Sequence, residues 1–221
     1  MIHKFLTRSS AVLLALFAFS VFTVAQSTDT SLAARSATHP HIVTSDVATS
    51  GNANSFANIK IGNFGQMDDR FYRGAQPLES DYQSLKDLGI TTIIDLRNDP
   101  TDYEKAAAEA LGMKYVNIPM SGWKRPQMED VNTFLALVDN PETGKFFVHC
   151  KAGIHRTGVI GAAYRYEKYD WDYDRVYKEM KDYNYSSGLV HGKLGSFVRK
   201  WGQRRADEKT STAPSAVVAN N

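Results

Sequence analysis

The chain has a single cysteine, in the stretch VHCKAGIHRTGV at 148–159. Five residues separate Cys150 from Arg156, and Thr157 and Gly158 follow directly. A thiol, a planar cation and a short glycine-containing loop are what is needed to hold a tetrahedral anion against a nucleophile. Successive backbone N–H groups of such a loop converge on one anion, in a nest backed by a helix N-terminus. Gly153 allows a backbone turn that a side chain would resist. Positive surroundings lower a thiol pKa into the ~3.5–7.5 range of activated cysteines, so a thiolate exists at neutral pH. Arg156 grips two oxygens with its planar fork, where a lysine offers only a point charge. Thr157 donates its hydroxyl to the sulfur and eases its later departure. The expected chemical set is therefore Cys150, Arg156 and Thr157. The expected anion-binding set is Lys151, Ala152, Gly153, Ile154, His155 and Arg156.

The flanking sequence supplies elements that would place this loop. KFFVHC is a short strand of buried type, running straight into the loop, and a helix is expected at about 157–169. ITTIIDLR (90–97) and MKYVNIPM (113–120) are β-branched, apolar runs of strand length. LESDYQSLKDLG puts Leu78, Tyr82 and Leu85 at helical spacing before Gly89, and TDYEKAAAEALG is a helix closed by Gly112. PQMEDVNTFLALVDN sets Met128, Val131, Phe134, Leu135 and Val138 on one helical face, with a proline at its start. Further helices are expected at about 172–183 and 189–202. Strand–helix alternation of this kind implies an α/β fold with a central, mostly parallel sheet flanked by helices. Ligand sites in such folds lie at the carboxyl ends of strands.

The ends of the chain read differently. MIHKFLTRSS is positively charged, AVLLALFAFSVFTV (11–24) is an unbroken apolar run, and Thr23 and Ala25 offer small residues for cleavage. Residues 1–25 are thus expected to be a secretory signal peptide, since fourteen apolar residues fall short of the ~20 that span a bilayer. The expected location is periplasmic or secreted, with no stable membrane anchor. Residues 26–57 and 206–221 are rich in Ser, Thr, Ala and Asn and are expected to be a flexible leader and a disordered tail. All three tryptophans and all eleven tyrosines lie between them, which sets the folded domain at about 58–205. Removing Lys4 and Arg8 with the leading segment turns 26 basic against 24 acidic residues into 24 against 24. A neutral chain leaves no electrostatic footprint for nucleic acid.

The His-Cys, five residues, Arg-Thr-Gly spacing resembles the signature loop of the cysteine-dependent protein tyrosine and dual-specificity phosphatases. YRGAQP (72–77), ITTIIDLR and YRYEKYDWDYDRVYKEM are similar to the compact bacterial dual-specificity type, so the resemblance covers about 58–202. It implies hydrolysis of phosphate monoesters through a phosphocysteine on Cys150, with a phosphorylated protein or a small phosphorylated molecule as partner. It implies no metal or organic cofactor and a monomer. His155 before the arginine resembles the plant and fungal atypical subgroup, some of whose members act on inositol pyrophosphates, although Ala152 and Ile154 stand where that subgroup is more basic. The alternatives are a phosphate-recognising pseudophosphatase binding module, from another class, and an inositol phosphate or phosphoinositide phosphatase. A sulfurtransferase loop would be one residue shorter between Cys and Arg, and the Gly-Lys-Ser/Thr of a P-loop NTPase is absent.

Other polar residues have quieter readings. His149 is expected to be a structural hydrogen-bonder that shapes the cysteine loop. His155 either points into the pocket or covers the loop. Trp123 is a lid or rim packing, and Lys124 and Arg125 are solvated charge or an attraction for acidic substrates. Asp95 and Arg97 are expected to pair within the domain and hold strand and loop, with no part in catalysis. His39, His41 and His191 form no metal-ligand spacing. Many relatives carry an acid in the loop after the third strand, but MSGWKRPQ (120–127) has no carboxylate. Asp130 and Glu129 follow in the first turn of a helix, where acids commonly complement the dipole. They are the weak choices for a general acid, with His155 next.

Overall fold

A computed structural model describes residues 56–212. The expected signal peptide, most of the leader and the last nine residues lie outside the described residues. No helix among the described residues is long and apolar enough to cross a membrane.

Among the described residues, five strands form one sheet: β1 (Gly65–Gln66), β2 (Phe71–Ala75), β3 (Ile90–Arg97), β4 (Lys114–Met120) and β5 (Lys145–Cys150). Their spatial order is β1-β2-β5-β3-β4, antiparallel between β1 and β2 and parallel elsewhere. The strand that ends in Cys150 is thus central, with Ala75 beside Cys150 and Asp95 beside His149 in register. The described residues also form six α-helices: α1 (Tyr82–Asp87), α2 (Asp102–Ala110), α3 (Met128–Asp139), α4 (His155–Tyr169), α5 (Tyr173–Asp182) and α6 (Gly188–Thr212).

Alternation along β5 divides the core. Phe146, Val148 and Cys150 face one layer, where Val131, Phe134, Val159, Ile160 and Phe197 pack from α3, α4 and α6. Phe147 faces the other, with Tyr82, Leu85 and Ala108 from α1 and α2. Each such side chain stabilises the fold by about 1.5–3 kcal/mol when buried, so the site is built on a strand held from both faces.

The structure moves several sequence boundaries. Leu78 does not join the α1 face; it precedes a 3-10 turn at Glu79–Asp81 and is exposed. Phe56, placed in the leader by composition, packs edge-on against Tyr72 at 6.2 Å between ring centroids. The last helix does not stop near 202, and residues 206–212 of the expected tail continue it to Thr212. Arg205 of that helix pairs with Glu167 at 2.6 Å and Asp170 at 3.2 Å, which fastens its second half to the end of α4. Strand β2 had no apolar signature, because Arg73 and Gly74 sit at its centre.

Candidate active site

Cys150 ends β5 and is only 3% exposed. Burial by itself would push the thiol pKa up. The Thr157 hydroxyl, the N–H groups of Thr157 and Ala152, and the Arg156 charge outweigh it and bring the thiol below its ordinary value. The sulfur is thereby biased toward thiolate.

The loop is shaped from outside. Gly153 has φ +69°, and a Cβ there would lie 2.3 Å from the carbonyl carbon of Gly74 and 2.6 Å from the Ala75 nitrogen. Only glycine lets the loop rest against β2. The Gly153 carbonyl accepts from Arg73 Nη2 at 2.7 Å and Asn63 Nδ2 at 2.9 Å, and the Lys151 carbonyl accepts from Gln76 N–H at 3.3 Å. In a planar trans peptide the N–H points opposite to its carbonyl. Holding these two carbonyls against β2 therefore turns the N–H groups of Ala152 and Ile154 inward. The first N–H groups of α4 follow, and a helix start leaves them without intrahelical acceptors. Ile154 packs its side chain on the core, while Lys151 and Ala152 are exposed at the rim.

Arg156 spans the mouth. Its Nη1 donates to Asn98 Oδ1 at 3.1 Å and to the Met120 carbonyl at 3.2 Å, at the ends of β3 and β4. Among the described residues its Nε and Nη2 donate to nothing. That edge is the fork that matches two oxygens of a phosphate.

His149 ends up away from the cysteine loop, and His155 over it. His149 does not shape the cysteine loop, because one step of strand alternation turns it to the α2 face. There its Nε2 lies 3.0 Å from Glu104 Oε2 and its Nδ1 3.8 Å from Asp95 Oδ1, all fully buried. Asp95 and Arg97 pair within the domain as expected: Asp95 accepts the Arg97 N–H at 2.8 Å, while the guanidinium reaches Asp99 at 3.2 Å and Glu104 at 3.7 Å. His155 covers the loop. Its ring stacks on His191 at 3.4 Å and its Nε2 meets the Ser186 carbonyl, while His191 Nδ1 meets the Gly122 carbonyl at 2.8 Å. Burial, His191 and Arg156 all hold the His155 pKa down.

Asp95, Glu104 and His149 are also the cluster among the described residues whose atoms lie close enough to ligate a metal. Their carboxylates are already committed: Glu104 accepts from Tyr82 and Thr101 hydroxyls at 2.9 and 2.7 Å, and Asp95 from Tyr115 at 2.8 Å. The donor set fits a hydrogen-bonded network. Neither weak choice for a general acid contacts the loop. Glu129 is exposed, and Asp130 accepts the Gln127 N–H as a helix cap, its pKa raised by burial and by Glu129. Asp99 feels the Arg156 charge, but its hydrogen bond with Arg97 comes first and holds it below the usual carboxylate range. Trp123 is 63% exposed on the rim, beside the exposed Lys124 and Arg125.

Sequence reading gave no role to Arg73, Asn63 or Asn98. Arg73 is fully buried, stacked 3.9 Å over the Tyr183 ring, and burial lowers its pKa from 12.5 to about 10. Its place in YRGAQP was the available signal for it. Asn63 and Asn98 lie in turns and gave none.

A strand-end cysteine below an inward-turned amide loop, faced by a guanidinium fork, is the arrangement of the protein-tyrosine-phosphatase-like class. The comparisons with known proteins place it more narrowly. The family model described as "DSP-PTPase phosphatase fused to NAD+ Kinase" matches residues 53–199, and the chain belongs to that family. The mRNA-capping enzyme of Danio rerio is 32% identical over 97 residues, 42% of this chain and 16% of that protein. The dual specificity protein phosphatase TpbA of Pseudomonas aeruginosa is 25% identical over 119 residues, 54% of this chain and 53% of that protein. The chain thus spans about a sixth and about half of these relatives' lengths. The crystal structure of P. aeruginosa TpbA shares the fold at TM-score 0.54 and 22% identity, over 62% of this chain and 84% of that one.

Proposed function

We propose that this chain hydrolyses phosphate monoesters of the phosphotyrosine or dual-specificity type through a phosphocysteine on Cys150. The Cys150 thiolate attacks phosphorus in line. The P–S bond forms as the ester P–O bond breaks, and the leaving oxygen takes a proton from water. The free Nε/Nη2 edge of Arg156 and the inward N–H groups of the loop hold the equatorial oxygens, where charge builds in the transition state. Water then attacks the phosphocysteine and releases inorganic phosphate, and the Thr157 hydroxyl stabilises the departing thiolate. The carrying observation is the capture of the Gly153 carbonyl by Arg73 and Asn63, which aims the loop amides at the sulfur. The crystal structure of P. aeruginosa TpbA in complex with pTyr supports phosphotyrosine as the substrate class.

A phosphate-release panel on aryl phosphates, phosphopeptides and inositol phosphates tests the reading, with Cys150→Ser as control. Release confined to wild type and led by the aryl esters is expected. Binding of phosphopeptide without any release would replace the reading with a recognition module.

We also infer that the domain works after export, on the support of the charged start and the apolar run at 11–24. Cell fractionation tests this, and protein found only in the cytosol at full length would overturn it.

A further inference from the structure

Helix α6 and the 121–127 loop enclose a second recess of about 390 Å³, lined by Arg125, Gly192, Lys193, Ser196, Phe197 and Lys200. Three cations and a hydroxyl line it, and no carboxylate does. The sequence around it is equally one-sided. From Gly188 to Ala206, α6 carries Lys193, Arg199, Lys200, Arg204 and Arg205 and no acid, and the loop adds Lys124 and Arg125 and no acid. Some cations elsewhere are paired, as in Arg165–Glu179 at 2.6 Å and Lys178–Asp182 at 2.9 Å. Among the described residues, Arg125, Lys193 and Lys200 pair with no carboxylate. The Arg125 guanidinium lies 5.9 Å over the Phe197 ring, which keeps a long side chain along the floor.

The recess adjoins the catalytic mouth. Gly122, in the same loop as Arg125, has its carbonyl bonded by His191 Nδ1 at 2.8 Å, and a Cβ on it would lie 3.9 Å from Arg156 Nε. Gly192, which lines the recess, follows His191 directly. One strip of loop thus separates the phosphate grip from the second cationic surface. Lys193 and Lys200 are seven residues apart, or about 10 Å along a helix at ~1.5 Å per residue. An extended peptide covers that span in about three residues at ~3.3 Å each. Cations spread over such a length suit a row of carboxylates better than one compact anion.

We propose that this recess binds an acidic segment of a phosphorylated polypeptide, with Asp or Glu residues flanking the phosphorylated side chain. The inference rests on the phosphatase reading and adds the substrate class. Solvent-exposed ion pairs of this kind give about two- to fivefold each, and they weaken with salt.

The test uses the full chain and matched phosphotyrosine peptides with four acidic or four neutral residues on either side. The acidic peptides are expected to show a KM roughly tenfold lower at low salt. The Lys193→Ala/Lys200→Ala variant should lose that advantage and keep its rate on a small aryl phosphate. Equal KM values for the matched peptides would overturn the proposal, as would a variant that weakens both peptides alike. Competition by inorganic tripolyphosphate without any acidic-peptide preference would overturn it too, in favour of a small polyanion. If no phosphate ester is cleaved, the phosphatase reading fails separately. Anisotropy of a labelled acidic peptide then decides the recess: binding lost in the double variant supports the proposal, and no binding overturns it.

Discussion

Replacing Arg73 by Met should separate activity from stability. The arginine is 1% exposed, and burial lowers its pKa from 12.5 to about 10 even though Tyr183, Glu179 and Cys150 pull it back up. Its contacts are therefore set against a desolvation cost of similar size. The charge-assisted bond to the Gly153 carbonyl contributes about 1.5–3 kcal/mol, and the Tyr183 stack about 2 kcal/mol. Methionine fills much of the same space with no charge to bury. Urea unfolding should therefore show a change of no more than about 2 kcal/mol. The site should suffer far more. The Gly153 carbonyl keeps only Asn63, the loop amides lose their aim, and the thiolate loses a buried positive charge that interacts with it. Iodoacetamide alkylation followed against pH should show the thiol titrating higher than in wild type, with kcat/KM on an aryl phosphate down about 10- to 100-fold. An unchanged thiol titration in a stable Arg73→Met protein would refute the role given to this residue.

The carboxylate-free loop at 120–127 predicts brisk cleavage of aryl phosphates and slow cleavage of alkyl ones, since a phenolate of pKa near ~10 leaves unaided. Asp130→Asn should change stability slightly and leave the basic limb of the pH–rate profile in place; a lost limb would make Asp130 the general acid. Glu104→Gln should cost about 1–3 kcal/mol in urea unfolding by disturbing the buried hydrogen bonds of Glu104 to Tyr82 and Thr101 beside His149. His149, Thr101 and Tyr82 hold the Glu104 pKa below its ordinary value against the opposing effect of burial. Its contribution is therefore fully present above the unfolded value near ~4.3 and is lost as pH falls through the folded one. Wild type should accordingly lose its advantage over Glu104→Gln in acid, and parallel curves from pH 7 to pH 2 would count against this. With one cysteine and none to resolve a sulfenic acid, dilute peroxide should inactivate the chain rapidly and bound phosphate should slow the loss; peroxide-resistant turnover would argue against a thiolate nucleophile.

What could be read from the sequence was whatever a local pattern encodes. β3 and β5 fall on the residues their apolar runs marked, because β-branched and aromatic stretches bury from both faces. The Cys150–Arg156 spacing likewise pointed to an anion loop before any fold was known. Long-range contacts were not readable. His149 was assigned to its sequence neighbour Cys150, but a strand sends adjacent side chains to opposite faces and only Glu104 of α2 reveals its partner. β2 escaped because its central Arg73 and Gly74 are shaped by the loop they support and carry no strand signal of their own. The end of α6 escaped because polar composition hid ion pairs to residues 35 or more positions away.

The central claim is a covalent phosphoenzyme on Cys150. Acid quench of the full chain during turnover of a radiolabelled aryl phosphate, followed by peptide mapping, tests it directly. The account predicts one phosphoryl group on the peptide carrying Cys150, absent from Cys150→Ser and long-lived enough to precede free phosphate. Undiminished turnover with no label on that peptide, or Cys150→Ser cleaving the ester at the wild-type rate, would contradict it.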